Sequence, residues 1–372
     1  MTLIRGLEGV IATSSSISAI IDDTLTYVGY KIEDLAEFAS FEEIVYLLWH
    51  LELPNKEQLA EIKIKLAEAS DLPEELHTFL RNNNLQDAHP MTILRTAVSI
   101  LGMYDPESED MSKEANYRKA IRLQAQIATL VAAFSRYRKG LQPIAPRKDL
   151  SYASNFLHMM NGKQPSALEE EAFNKALVLH ADHELNASTF TARVCVGTLS
   201  DMYSGVTSAI GALKGPLHGG ANENVMKMLL EIGEVQNVDT FINDALENKK
   251  KIMGFGHRVY RKGDPRAAIL KEMSRQLCII TGQQEYFKMS EKIEQKMTSE
   301  KNIPPNVDFY SATVYNSLEI ETDLFTPIFA VSRMSGWVAH ILEQYENNRL
   351  IRPRADYTGP QTQKFIPIEK RA

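Results

Sequence analysis

The chain has 372 residues, 44% of them apolar and 24% charged, a composition that excludes disordered and fibrous classes and leaves ample length for a large core. A formal net charge of −7 and a pI near 5.8 argue against a general nucleic-acid binder, so any polyanion it binds must be small. Cys195 and Cys278 are its two cysteines and make no CxxC pair, and no signal peptide or apolar run of ~20 residues is visible, so we expect a cytosolic (cytoplasmic) protein without a membrane span.

Along the chain, strand signals are confined to the region from Val10 to Ile32, with its serine-rich run Thr13 to Ser16 and the β-prone stretch Thr24 to Val28. Helical periodicity dominates thereafter. Breakers at Asp71 to Pro73, Asp105-Pro106, Gly140 to Pro143 and Ala145-Pro146 divide the first half. Between them Ile127, Leu130, Val131 and Phe134 recur at i, i+3, i+4, i+7, the pattern of a helix with one buried stripe. The turn Gly215 to Gly220 is a strong interruption, and Glu247 to Lys251 reads as a solvated helix end. Asp264-Pro265 marks a helix start with aspartate as N-cap and proline at N1; that helix carries Leu270, Met273 and Leu277 and closes at Gly282. After the breaker Lys301 to Pro305, Thr326-Pro327 reads as cap and first residue of a last helix, with a single stripe of Ile328, Val331, Ser335, Val338, Leu342 and Tyr345. No internal repeat is present, and no Val/Ile-rich runs alternate with helices as an α/β sheet requires.

Four polar constellations interrupt this pattern. In His180 to Ser188 (HADHELNAS), His180 and His183 at i, i+3 can face the same side of a helix and, with Glu184, imitate a metal site, although the spacing is not HExxH. The other reading is a pair of helix-end histidines bonded to backbone carbonyls. In Lys214 to Asn222 (KGPLHGGAN), His218 is flanked by glycines that let main-chain amides approach a ligand, and the P-loop pattern is absent. In Gly254 to Arg266 (GFGHRVYRKGDPR), His257 stands among Arg258, Arg261, Lys262 and Arg266, which run into the positive end of a helix. That loop is either an anion site or a solvated basic segment. In Asn306 to Thr313 (NVDFYSAT), Asp308 sits among Val307, Phe309 and Tyr310, as an N-cap or as a general base of raised pKa; local pattern favours the cap. Three histidines, a carboxylate and many arginines together suit acid/base chemistry on a multi-anionic substrate, whereas no GxSxG or supported cysteine points to a covalent nucleophile.

These four segments, in this order and spread over nearly the whole chain, resemble the signature segments of the citrate synthases. The resemblance implies an all-α, multi-helical fold with a few short N-terminal strands, working as a homodimer without a cofactor. A large domain of residues 1–218 plus 321–372 would carry the dimer interface, and a smaller mobile domain of residues 219–320 the CoA side. The implied reaction, an acyl transfer with conversion to alkyl, condenses acetyl-CoA with oxaloacetate to citrate and CoA at the entry of the tricarboxylic acid cycle. By motif, Asp308 resembles the base, His218 the neutral donor to the developing enol, and His257 the donor to the ketone of oxaloacetate. His183, Arg266, Arg333 and, from the partner subunit, Arg352 resemble the oxaloacetate contacts, with Arg354 close to Arg352. Arg261 and Lys262 resemble CoA phosphate contacts, Gly219 and Gly220 positions where main chain packs on CoA, and Asn186 and Ser188 residues that orient His218. After Glu184 the chain reads Leu-Asn where the mammalian form has a glycine pair, and it lacks the amino-terminal extension of hexameric, NADH-inhibited relatives. A dimer without NADH control is therefore expected. A 2-methylcitrate synthase using propionyl-CoA would share every motif, because one methylene is worth only ~1–3 kcal/mol of discrimination. A metal-dependent hydrolase built on His180, His183 and Glu184, and a helical protein without activity, are the competing readings.

Overall fold

The structure, a computed structural model, describes residues 4–7, 9–83, 85–257, 260 and 263–371. A small antiparallel sheet comes first: β1 (Ser18–Ile21), β2 (Thr24–Tyr27) and β3 (Tyr30–Lys31) in the order β1-β2-β3. Helices follow: α1 (Ile32–Phe38), α2 (Phe41–His50), α3 (Lys56–Glu68), α4 (Glu74–Asn82), α5 (Pro90–Tyr104), α6 (Lys113–Arg138), α7 (Tyr152–Asn161) and α8 (Ala167–His180). The second half carries α9 (Ala187–Val196), α10 (Met202–Leu213), α11 (Ala221–Ile232), α12 (Val238–Glu247), α13 (Pro265–Ile280), α14 (Gln284–Lys301), α15 (Val307–Ser317) and α16 (Phe325–Glu346). The fold is thus all-α with a few N-terminal strands, as the sequence implied, and the breakers read from it fall between helices. Glu247 to Lys251 lies exposed at the end of α12, as expected.

The last helix departs from its sequence reading. Thr326 and Pro327 lie inside its first turn rather than capping it, because the turn Thr322–Leu324 leads directly into Phe325. Proline is tolerated there since the first N–H groups of a helix have no intrahelical partner. Nor does α16 bury a single stripe: every residue from Phe325 to Ile341 is buried, with Trp337 fully so. The large side chains recur at helical spacing, whereas Ala330, Ser332, Gly336 and Ala339 fill the other faces and let α2, α6, α8, α9 and α10 approach closely. A period search that counts only large apolar residues misses that second face. Helix α6 is similarly enclosed, from Lys119 to Ser135 apart from Arg122 and Gln126.

The sheet's placement bears on function. The hydroxyl of Tyr27, on β2, donates to the carbonyl oxygens of Val178 (3.1 Å) and Asp182 (3.0 Å), and Asp182 N donates back to it at 3.1 Å. Ser18 on β1 donates to Asp182 Oδ2 and accepts from Glu184 N at 2.9 Å. Behind this segment, a Cβ on Gly336 would collide with the Ala181 carbonyl and the Asp182 carboxylate, so α16 presses against residues 181–182 as closely as a backbone can. The segment after α8 is held from both sides.

Helices α11 to α15 pack largely on one another. Their links to the rest run through α13 and α15 against α8, α13 against α1, α11 against α16, and α11 and α15 against the turn Thr322–Leu324. Two of their termini converge at one aspartate: Asp264 caps α13 through Arg266 N (3.1 Å) and accepts Val307 N, at the start of α15, at 3.0 Å.

Candidate active site

The predicted i, i+3 pair of histidines does not form, because α8 ends at His180 and the chain then turns, with Glu184 at φ 48°. His180 points into the core beside Phe329, its Nδ1 2.7 Å from the Ala176 carbonyl, and burial pushes its pKa down to about 3. It is the structural histidine. His183 faces elsewhere, its Nε2 3.0 Å from the Tyr260 hydroxyl. Among the described residues no group of three or more His, Cys, Asp or Glu side chains is placed to hold a metal ion.

His218 sits in the turn between α10 and α11. The amide of Ser188, in the first turn of α9 and free of an intrahelical partner, donates to His218 Nε2 at 3.3 Å, and Ser188 Oγ lies 2.9 Å from the same nitrogen. Asn186 Oδ1 lies 2.7 Å from the same hydroxyl, which has two acceptors within reach, while Trp337 Nε1 donates to Ser188 Oγ (3.1 Å). Asn186 is itself the N-cap of α9. With Nε2 accepting, the proton of the neutral ring belongs on Nδ1, which is then a hydrogen-bond donor. Burial, and next the charge of Arg333, lower the His218 pKa to about 4, so the ring is neutral at physiological pH. Of the flanking glycines, Gly219 is required by the turn itself, since a Cβ there would stand 2.5 Å from the Leu213 carbonyl oxygen, whereas a Cβ on Gly220 would meet only Asn224 Nδ2, at 4.0 Å.

The His257 and Asp308 segments lie side by side. Gly256 N donates to the Pro304 carbonyl (3.0 Å), Asn306 N to the Gly254 carbonyl (2.9 Å), and Asn306 Nδ2 to the Gly256 carbonyl (2.9 Å). Asn306 also accepts from Asp308 N at 3.1 Å and so caps α15. Asp308 is therefore not the cap that its local sequence favoured; a better cap two residues earlier leaves its carboxyl for other work. Desolvation raises the Asp308 pKa to about 6, overriding the opposing pull of Arg266 and Arg333. His257 is lowered to about 4 by burial and then by Arg266. Tyr260 N donates to His257 Nδ1 at 3.3 Å, which puts the proton of the neutral ring on Nε2.

Both expected arginines are buried, 3% exposed for Arg266 and 2% for Arg333, and both act electrostatically on His183 and Asp308. Arg266 pairs bidentately with Asp264, and this charge raises its own pKa against the cost of burial. Arg333 donates from Nε to the His180 carbonyl at 2.7 Å and lies 4.7 Å from the Phe329 ring centroid. Desolvation lowers its pKa to about 10, still charged at neutral pH, and its Nη groups hydrogen-bond no described residue. His183, pushed well below the ordinary histidine value by burial and then by both arginines, is neutral.

One region thus holds three neutral imidazoles, two guanidinium groups and a carboxylate that titrates near neutrality. Arg352 and Arg354 lie exposed on the extended segment after α16. Arg261 and Lys262 fall outside the described residues. The contacts of Tyr260 and Trp337, and the pairing of Asp264 with Arg266 beyond its cap of α13, carry no local sequence signal.

A profile of the family described as "Citrate synthase, C-terminal domain" matches residues 6–354. The chain belongs to the citrate synthase family. "Citrate synthase 2" of Bacillus subtilis is 68% identical over 372 residues, covering 100% of both chains. "2-methylcitrate synthase 2" of Corynebacterium glutamicum is 44% identical, covering 99% of this chain and 97% of that one. Among solved structures, the citrate synthase of Thermoplasma acidophilum, in a ternary complex with carboxymethyl coenzyme A and oxaloacetate, superposes with a TM-score of 0.93 at 34% identity over 100% of each chain. The four motifs that carry the citrate synthase resemblance all lie within the matched residues, around the region just described.

Proposed function

We infer that the chain catalyses the citrate synthase reaction, condensing acetyl-CoA with oxaloacetate and hydrolysing citryl-CoA to citrate and CoA. The observation that carries this reading is Asp308, a carboxyl of raised pKa in the same cluster as neutral imidazoles and two buried guanidinium groups.

A thioester methyl is a far weaker acid than any carboxylic acid, so a base needs help at the carbonyl oxygen. Asp308 is proposed to take the methyl proton. Its pKa near 6 makes it a stronger base than an ordinary aspartate of ~3.9 while leaving it mostly ionised at pH 7. His218, held neutral with Nδ1–H, would donate to the oxygen on which enolate charge develops. A neutral donor suits that task, since it stabilises the enol without protonating the base. His257, with its proton on Nε2, would polarise the ketone of oxaloacetate. Arg333 and Arg266 offer positive charge to its two carboxylates, His183 a further contact, and the partner subunit's Arg352 a third cation in a homodimer. Arg261 and Lys262 would meet the CoA phosphates.

Residues 219–320 are proposed as the mobile small domain, closing on the large domain of residues 1–218 plus 321–372 once oxaloacetate is bound. The self-contained packing of α11 to α15 supports this division. Closure would keep water from the thioester until condensation is complete. No cofactor is proposed.

The test is release of free thiol from acetyl-CoA, which should require oxaloacetate and persist in EDTA. Thiol release without oxaloacetate, or its loss on chelation, would overturn the reading. A kcat/KM higher for propionyl-CoA than for acetyl-CoA would move the assignment to 2-methylcitrate synthesis.

A further inference from the structure

We propose that Tyr260 is a positioning residue for oxaloacetate, fixing His183 and His257 relative to one another; the proposal rests on the reading of those histidines given above. Tyr260 lies within the basic segment yet is 4% exposed, so something other than solvent holds it. Its hydroxyl is 3.0 Å from His183 Nε2 and its amide donates to His257 Nδ1 at 3.3 Å. Its ring lies over His257, with centroids 4.5 Å apart at 38°, and meets His183 edge-on at 5.6 Å and 84°. The two imidazoles are themselves 5.2 Å apart, and the Arg266 guanidinium carbon is 6.0 Å from the tyrosine ring centroid.

These contacts join elements that the chain keeps far apart. His183 belongs to the segment after α8, in the part proposed as the large domain, whereas His257 and Tyr260 belong to the part proposed to move. Two contacts from one side chain and one amide therefore set the spacing of two groups that must reach the same small dianion. The backbone contact selects the His257 tautomer, because an amide N–H can only donate. The hydroxyl contact satisfies a His183 nitrogen that burial would otherwise leave unpaired. Phenylalanine at this position keeps the ring and the amide and removes only the hydroxyl.

The experiment is Tyr260→Phe, assayed for kcat, for KM of each substrate and for Tm. The oxaloacetate KM should rise on the order of tenfold, while kcat and the acetyl-CoA KM stay near native values and Tm falls by a few degrees. An unchanged oxaloacetate KM, or a parallel loss of all four quantities, overturns the proposal. Should the variant not fold, the native protein labelled with 15N-histidine still decides: His257, assigned by loss of its signals in His257→Asn, should titrate as the Nε2–H tautomer, and the Nδ1–H tautomer would sink the backbone half of the argument. Absence of oxaloacetate-dependent thiol release in the native enzyme would instead refute the family reaction for this chain, an outcome distinct from failure of the Tyr260 proposal.

Discussion

Asp264 holds Arg266 through both carboxylate oxygens, Oδ1 to Nε at 2.9 Å and Oδ2 to Nη2 at 2.8 Å, while the same carboxylate caps α13 and receives the first amide of α15. Substrate would thus meet a guanidinium already fixed in orientation. Removing the charge in Asp264→Asn leaves a buried cation without its counter-ion, a change that commonly costs 3–5 kcal/mol. Burial alone would raise the Asp264 pKa, but Arg266 holds it below the usual carboxylate value. Its stabilisation is therefore present above the unfolded pKa of ~3.9 and lost as pH falls through the lower folded value. Urea unfolding at pH 7.5 and pH 3 should show the Asp264→Asn deficit large at the first and shrunken at the second.

For Asp308 the sign is opposite. Its folded pKa, about 6, lies above the unfolded value, so it favours folding only at low pH and that contribution disappears as pH rises through 6. Asp308→Asn should consequently raise Tm at pH 7.5 while lowering kcat by about 10²- to 10⁴-fold, the range for loss of a general base. Oxaloacetate affinity should change little. The native kcat/KM for acetyl-CoA should climb to a plateau through one inflection near pH 6. Because His218 and His257 are both lowered to about 4, neither contributes a histidine inflection near 6.5.

Ser188→Ala separates orientation from chemistry at His218. The Ser188 amide remains and preserves the tautomer, but the Trp337 indole and the Asn186 carbonyl each lose a partner. We expect a kcat lower by roughly tenfold with the pH inflection unmoved, and a stability loss of about 1–3 kcal/mol. A shift of the inflection would mean that Ser188 tunes a proton rather than a position.

Gly336→Ala probes the support behind His183. The added methyl would meet a carbonyl and a carboxylate, neither able to retreat easily, so overpacking of about 1–3 kcal/mol is expected in chemical unfolding. Because the displaced residues precede His183 directly, oxaloacetate KM should increase more than acetyl-CoA KM.

Much of this candidate site was legible in the sequence because the titratable groups it gathers are concentrated in four short segments. His218 and Asp308 announce themselves by their immediate neighbours, glycines for one and aromatics for the other. What stayed hidden depends on contacts across the chain. Nothing local tells Asn306 from Asp308 as the cap, and the separation of His180 from His183 follows from where α8 stops. Trp337 reaches Ser188 across 149 positions. Tyr260 could have been noticed as the aromatic within a basic run, but its partner lies 77 residues earlier.

The hairpin of Ser18 and Tyr27, pinned to Asp182 and Glu184 and closed from behind by Gly336, has a bearing on how the protein is made. The earliest strands and the final long helix both brace the segment that presents His183. During synthesis that segment would leave the ribosome more than a hundred residues before α16, and until α16 arrives it lacks one wall. Contacts of such sequence separation form late, after costly loop closure. A nascent chain halted before residue 336 should therefore carry all four motifs in translated form and still bind no oxaloacetate, so catalytic competence would appear only at the very end of assembly.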